Sequence, residues 1–328
     1  MSADDLDRAS GAEETDGPTT NVDAPPALVG VGAAILDRYF LLSNFPERDG
    51  GAFIERRVTR FGGAAANVLV GATRLGRETG MVTRLGRDED GDRILANLRE
   101  EGVAADRVAR GPERSTYCHV LRAEDTRTIL TGGRATDELR FGDADRAYVR
   151  GAEAAFTTLY TPDPVLQELV AAADETRLVV DLATTPGELT GHGANPDTTE
   201  ALLDRAAVVV GSAPVVAAHL GCAPEEAAAA LRERVPRGAV TRGADGATLF
   251  DDDGAVEVPA FPVEAVDPTG AGDAFIAALL DRWVLGGDPA SEAGRAAAAA
   301  GAMNCRELGA RGHLPTTEEL AAFVAEHE

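Results

Sequence analysis

From residue 28 onward, short apolar runs alternate with longer stretches in which apolar residues recur at helical spacing. Residues 28–37 read as a buried strand ending in Asp37. Residues 38–60 hold two partly alternating apolar runs around Pro46, Asp49, Gly50 and Gly51, the pattern of a strand pair lying outside a main sheet. A small-residue helix follows Gly62 and Gly63 and is stopped by Gly76; strand 79–85 then feeds a helix to about Glu101. Residues 115–122 and 126–132 read as a hairpin. From about residue 153, strands at 154–158, 177–182, 206–210 and 239–241 alternate with helices, and strands at 247–250 and 255–258 precede two last long helices. Continuous apolar strands such as 178–180 and 208–210, set between helices, imply an α/β fold with a parallel sheet covered on both faces. Ligands of such sheets gather at the C-terminal ends of the strands.

Residues 1–25 break this pattern, being rich in Asp, Glu, Thr, Gly and Pro, and read as a disordered acidic tail. The remaining 26–328 read as one large domain. The formal charge is −24, and all 31 basic residues are arginine because the chain contains no lysine. That excludes a P-loop lysine and a Schiff-base lysine. So acidic a chain repels nucleic acid and anionic membranes but is well screened in molar salt, which points to a halophilic source. Cys118, Cys222 and Cys305 are odd in number and widely spaced, and the five histidines show no paired ligand spacing, so neither a disulfide framework nor a Cys/His metal site is expected. No apolar run reaches membrane-spanning length and the N-terminus is acidic where a signal peptide is basic, so a cytoplasmic location is expected.

The most informative stretch is Asp267-Pro268-Thr269-Gly270-Ala271-Gly272-Asp273, a turn running straight into an apolar helix. Gly270 and Gly272 let the N–H groups of residues 271–273 approach an anion closely, and the helix dipole favours its charge. Asp273 places a carboxylate inside that anion site. This is a poor choice for binding phosphate alone, and a good one where a hydroxyl must lose a proton as it attacks a phosphoryl group. Taken alone, Asp273 could equally be a helix N-terminal carboxylate. Gly30 and Gly32 form a partial Gly-x-Gly whose third glycine is replaced by Ile35, a weak signal for a nicotinamide cofactor.

Three motifs together, Gly62-Gly63-Ala64-Ala65-Ala66-Asn67, Thr241-Arg242-Gly243-Ala244-Asp245-Gly246 and the 267–273 turn, resemble the ribokinase or PfkB family of carbohydrate kinases over roughly residues 28–325. The resemblance implies a ribokinase-like three-layer α/β/α fold with a mostly parallel central sheet and a small β lid from about 38–60 and 115–132. It implies ATP-dependent phosphorylation, with Mg²⁺, of a sugar, sugar acid or nucleoside, and a homodimer contact through the lid. Asp273 becomes the expected general base, with Gly270, Ala271 and Gly272 as its anion hole. Asp37, Gly63 and Asn67 fall on positions that bind substrate hydroxyls. Thr241, Gly243 and Gly246 fall on the nucleotide loop, and Asn304 falls in the wall of the adenine pocket.

One departure stands out. Where the family usually has Asn-x-x-Glu to organise Mg²⁺ and phosphate, residues 211–214 read Gly-Ser-Ala-Pro. Asn97-Leu98-Arg99-Glu100 has the pattern but belongs to a predicted helix far from the place required. Asp181 is then the candidate acid to support the metal through water. The departure leaves open a non-catalytic sugar or nucleotide sensor on the same fold.

Overall fold

Leu28 and Val29 point into different apolar cores, because successive side chains of a strand face opposite sides of its sheet. In the computed structural model, which describes residues 25–327 apart from 124, 125 and 190, that alternation organises the whole body. The acidic stretch before residue 25 and the hairpin tip at Glu124 and Asp125 lie outside the described residues.

The chain begins with β1 (Leu28–Val31), crosses into the lid strands β2 (Ile35–Leu42) and β3 (Ile54–Gly62), and returns through α1 (Ala64–Arg74). Next come β4 (Thr79–Gly86), α2 (Glu89–Glu100), β5 (Ala104–Gly111) and the lid hairpin β6 (Tyr117–Ala123) and β7 (Thr126–Gly132). Alternating units follow: α3 (Asp143–Arg150), β8 (Ala154–Thr158), α4 (Asp163–Ala172), β9 (Arg177–Asp181), α5 (Pro196–Arg205) and β10 (Val208–Ser212). α6 (Ala213–Leu220), α7 (Ala227–Arg232), β11 (Gly238–Thr241), β12 (Ala247–Asp251) and β13 (Gly254–Val258) complete the sheet, and α8 (Ala271–Leu279), α9 (Ala290–Asn304) and α10 (Thr317–Glu326) close the chain.

The nine-stranded sheet runs β13-β12-β11-β10-β9-β8-β1-β4-β5, parallel except for the antiparallel edge strands β12 and β13. One face packs against α1, α2, α8, α9 and α10, the other against α3 to α7. Right-handed crossovers between parallel strands demand this two-sided cover, and strands buried on both sides explain the unbroken Val and Ala runs. β9, β10 and β11 end at Asp181, Ser212 and Thr241, side by side, and Gly272 of α8 lines a small cleft with all three.

The lid is a four-stranded sheet of order β3-β2-β6-β7. Arg38 of β2 grips both carboxylate oxygens of Asp90 on α2 at 2.7 and 2.5 Å, fixing the lid to the body. Two expectations need correction. The run 28–37 is not one strand: the chain leaves the main sheet after Val31, with Gly32 at φ 141, so Asp37 lies inside a lid strand rather than at a main-sheet terminus. β5 and α3 were not expected, because a polar edge strand such as Ala-Ala-Asp-Arg-Val-Ala-Arg-Gly and a short polar helix in which Val149 is the buried residue offer few apolar positions to read.

Candidate active site

The 267–273 turn is held by buried side chains before any ligand is considered. Asp267 accepts hydrogen bonds from the Thr269 N–H at 3.1 Å and hydroxyl at 2.7 Å through Oδ1, and from the Gly309 N–H at 3.0 Å through Oδ2. The N–H groups of Val266 and Asp267 both donate to the Cys305 carbonyl. Gly270 caps α8 in the left-handed region at φ 77, leaving the first N–H groups of the helix without intrahelical acceptors.

Asn304 differs from its expected role. It is fully buried and does not line the cavity beside the 241–246 loop; its Nδ2 donates to the carbonyls of Thr269 and Ala310, and its Oδ1 accepts from the His313 N–H. It braces the turn from behind, while Ala302 and Cys305, a helical turn apart, face the cavity.

Asp273, in the first turn of α8, accepts a 2.7 Å hydrogen bond from Asn67 Nδ2 on α1. Asn67 Oδ1 in turn accepts from Arg311 Nε at 2.7 Å, and Arg311 Nη1 donates to Asn97 Oδ1 at 2.8 Å. Asn97 therefore does have a role near the site, as a brace for Arg311. Gly62 has no room for a side chain beside the Asp37 carboxylate, and Gly63, at φ 94, lies against the Ala33 carbonyl, so the start of α1 packs closely beneath the lid. Asp37, Asn67 and Asp273 thus form one group of interacting side chains beside Gly62 and Gly63, with Arg311 as a member the motifs did not announce.

Burial pushes Asp273 up to about 6, with the Asn67 hydrogen bond and Arg311 pulling it back. Burial pushes Asp37 up to about 7, opposed by Arg311 and reinforced by Asp273 and Asp267. The same desolvation lowers Arg311 to about 10. Asp181 is pushed up to about 7, again chiefly by burial, with the Ala183 N–H opposing and Asp273 adding to the rise. Asp273 acts on both Asp37 of the lid and Asp181 at the end of β9, which places it between the lid carboxylate and the strand ends.

On the strand-end side a cavity of about 500 Å³ is lined by Thr241, Gly243, Gly246, Ala271, Gly272 and Ala302, among others. Its walls are mostly small and apolar, suited to a flat base. The adjoining cleft of about 140 Å³ contains Asp181, Gly211, Ser212, Thr241 and Gly272. Among the described residues no cluster of three or more His, Cys, Asp or Glu could hold a metal ion. Asp181 is the acid beside Gly211 and Ser212, and the Asn-x-x-Glu sequences of the chain, at Asn44-Phe45-Pro46-Glu47 in the lid, at 97–100 in α2 and at Asn304-Cys305-Arg306-Glu307 at the end of α9, line no part of that cleft. Gly30 packs against Leu69, so the partial Gly-x-Gly serves close packing at β1 and not a pyrophosphate.

Comparison with known proteins agrees with this geometry. Residues 27–317 match the pfkB family carbohydrate kinase profile. The chain is 30% identical over 287 residues, 87% of this chain and 93% of the relative, to an ATP-dependent ribose-1-phosphate kinase of Halopiger xanaduensis. It is 26% identical over 317 residues, 91% of this chain and 96% of the relative, to a nucleoside kinase of Methanothermobacter thermautotrophicus. The fold superposes on Arabidopsis thaliana ribokinase complexed with ribose and ATP at a TM-score of 0.79 and 24% identity, covering 92% of this chain and 99% of that one. With the family's profile spanning nearly the whole described chain, and the 241–246 loop and the 267–273 turn lining one cavity, this protein belongs to the pfkB family of carbohydrate kinases, as an ATP-dependent kinase of the sugar and nucleoside class.

Proposed function

We propose that the chain transfers the γ-phosphoryl group of ATP to a hydroxyl of a sugar, sugar acid or nucleoside, with Asp273 as general base. The observation that carries this reading is the position of Asp273, a half-buried carboxylate at the N-terminus of α8, hydrogen-bonded to Asn67 and electrostatically coupled to Asp37, with its neighbours Ala271 and Gly272 lining the cavity beside the 241–246 loop. Burial suits the task, because a carboxylate raised toward neutrality is a better base than one left in water. The acceptor hydroxyl lies against Asp273 and gives up its proton as the bond to phosphorus forms. The N–H groups at residues 270–273 receive the charge that spreads over the phosphoryl oxygens.

Asp37 holds the ring by accepting from neighbouring hydroxyls, an arrangement that rejects a deoxy analogue strongly. Gly63 lets the ring approach the start of α1, and the unused capacity of the Asn67 amide meets a further hydroxyl. The relatives named as ribose-1-phosphate kinase, nucleoside kinase and ribokinase share a ribose ring, which favours a ribosyl acceptor here. ATP fits the small-residue cavity, its phosphates passing Gly272. Mg²⁺ keeps most of its ligands from water and phosphate in such sites, so Asp181 is sufficient as a water-mediated support. Ile54 on one lid edge strand and Ile129 and Leu130 on the other are exposed, which supports a homodimer through the lid; light scattering at working concentration checks it.

The test is phosphoryl transfer in molar KCl to a panel of ribose, ribose 1-phosphate, fructose, sugar acids and nucleosides, with Asp273→Asn beside the parent. Turnover of one acceptor, reduced about a thousandfold in the variant with binding kept, is expected for loss of a general base and its charge. Full turnover in Asp273→Asn removes Asp273 from that role.

A further inference from the structure

We infer that Arg311 is the positioning residue of the catalytic carboxylate: acting through Asn67, its guanidinium fixes the direction from which Asp273 meets the acceptor and supplies the balancing positive charge. The inference rests on the reading of Asp273 as base. It starts from the chain of contacts Asn97–Arg311–Asn67–Asp273, in which the three hydrogen bonds measure 2.8, 2.7 and 2.7 Å.

The ends of that chain leave the middle no freedom. A guanidinium only donates and an ionised carboxylate only accepts, so the amide between them must turn its oxygen to Arg311 and its NH₂ to Asp273. Without Arg311 the Asn67 amide could rotate to offer its oxygen elsewhere, and Asp273 would lose its donor. With Arg311 in place, Oδ2 of Asp273 is engaged and Oδ1 is left for the acceptor hydroxyl. Arg311 is itself fixed by Asn97, which is buried in α2, the helix that also carries Asp90 beneath the lid. A planar fork can reach two amides at once; an ammonium is a single point of charge on a flexible stem.

The electrostatics run the same way. Asp273 faces Asn67 from α1, Asp37 from β2, Asp181 from β9 and Arg311 from the segment before α10, and Asp267 adds a carboxylate near Asp37. Among these groups Arg311 is the cation acting on both Asp273 and Asp37. Glu101 and Arg74 act on Arg311 itself from its far side. Removing the guanidinium therefore leaves the carboxylates to repel one another, and Asp273 takes up its proton at higher pH.

The experiment compares kcat at saturating acceptor, where Asp37 is occupied, across pH 5 to 9 for the parent, Arg311→Met and Arg311→Lys. The titration of the nucleotide is common to all three and cancels. In Arg311→Met, kcat is expected to fall roughly a hundredfold, as for a displaced reacting group, and the acid limb to move up by about one pH unit or more, as for loss of a nearby opposite charge. In Arg311→Lys, kcat falls at least tenfold while the limb stays near its original pH, separating orientation from charge. A folded Arg311→Met with an unmoved limb overturns the inference, and so does Arg311→Lys with parental kcat, which remains decisive where the Met variant fails to fold. A rise in the acceptor KM with kcat retained would make Arg311 a binding group and also overturn it. Asp273→Asn separates the two readings: if it is inactive while the Arg311 variants behave as the parent, only the Arg311 inference fails.

Discussion

Gly270 and Ala310 pack so closely that a methyl group on Gly270 would overlap the Ala310 carbonyl oxygen. That carbonyl also accepts from Asn304 Nδ2, so it has little room to move. Gly270 sits at φ 77, where a side chain is strained regardless of space. Gly270→Ala is therefore expected to cost about 1–3 kcal/mol of stability from backbone strain alone and to tilt the N–H groups of residues 271–273. A thermal melt several degrees lower, with kcat reduced at least tenfold, is the expected result; parental values for both would show the turn to be plastic.

Gly272 is the opposite case. A Cβ there meets nothing within 4 Å, yet the residue lines both the nucleotide cavity and the Asp181 cleft. Nothing in the protein requires the absence of a side chain, and the proposed path of the ATP phosphates accounts for the open space. Because valine suits a helix no worse than glycine, Gly272→Val is expected to melt at or above the parental temperature while the KM for ATP rises at least tenfold. Titration calorimetry with ATP checks it directly, and undiminished affinity would detach Gly272 from the phosphate path.

The buried carboxylates make a linked prediction about pH. Asp37 is raised by burial to about 7 from an ordinary 3.8, so the folded state holds its proton more tightly than the unfolded chain does. Its contribution to stability is present in full below pH 3.8 and is lost as pH rises through 7. Asp37→Asn is accordingly expected to raise the melting temperature at pH 8 but not at pH 4. In the same variant the acceptor KM rises, since a neutral amide is a weaker partner for two hydroxyls. Melting curves of both proteins at the two pH values test the sign, and a stabilisation confined to pH 4 contradicts it.

The anion turn was readable because Gly270, Gly272 and Asp273 stand together in the chain, as do the glycines at 62–63 and 243–246. Asp37 stood out in the sequence as a candidate but not as a lid residue, since the apolar runs on either side of Gly32 look alike and hydropathy does not say which sheet a strand joins. Arg311 lies 244 positions from Asn67, in a loop with no periodicity, and only the fold brings the two together. The misplacement of Asn304 has a different cause. Residues 302 and 305 share one face of α9, and 304 stands about 200° from 302 at 100° per residue, so its helical phase already turned it away from the cavity.

Two lid arginines dock on the turn that leads into α8. Arg122 Nη2 donates to the Val266 carbonyl at 2.9 Å and Arg127 Nη1 to the Thr269 hydroxyl at 2.6 Å, and both guanidinium groups stand 3.9–4.0 Å from Asp267 Oδ1. Asp267 keeps its bonds from Thr269 and Gly309 when the arginines are removed, and the carbonyl of the exposed Val266 can turn to water. The two side chains are partly exposed, which limits their worth to global stability. Under the proposed function, their contacts are expected instead to bias the lid toward a position closed over the acceptor. Arg122→Ala combined with Arg127→Ala is expected to move the melting temperature by no more than a degree or two and to raise the acceptor KM about tenfold, equivalent to about 1.4 kcal/mol. Steady-state kinetics in constant molar KCl decides the matter: a KM unchanged in the double variant means that the lid is held by Arg38 and Asp90 alone, and that the contact of the hairpin with the 266–269 turn contributes nothing to closure.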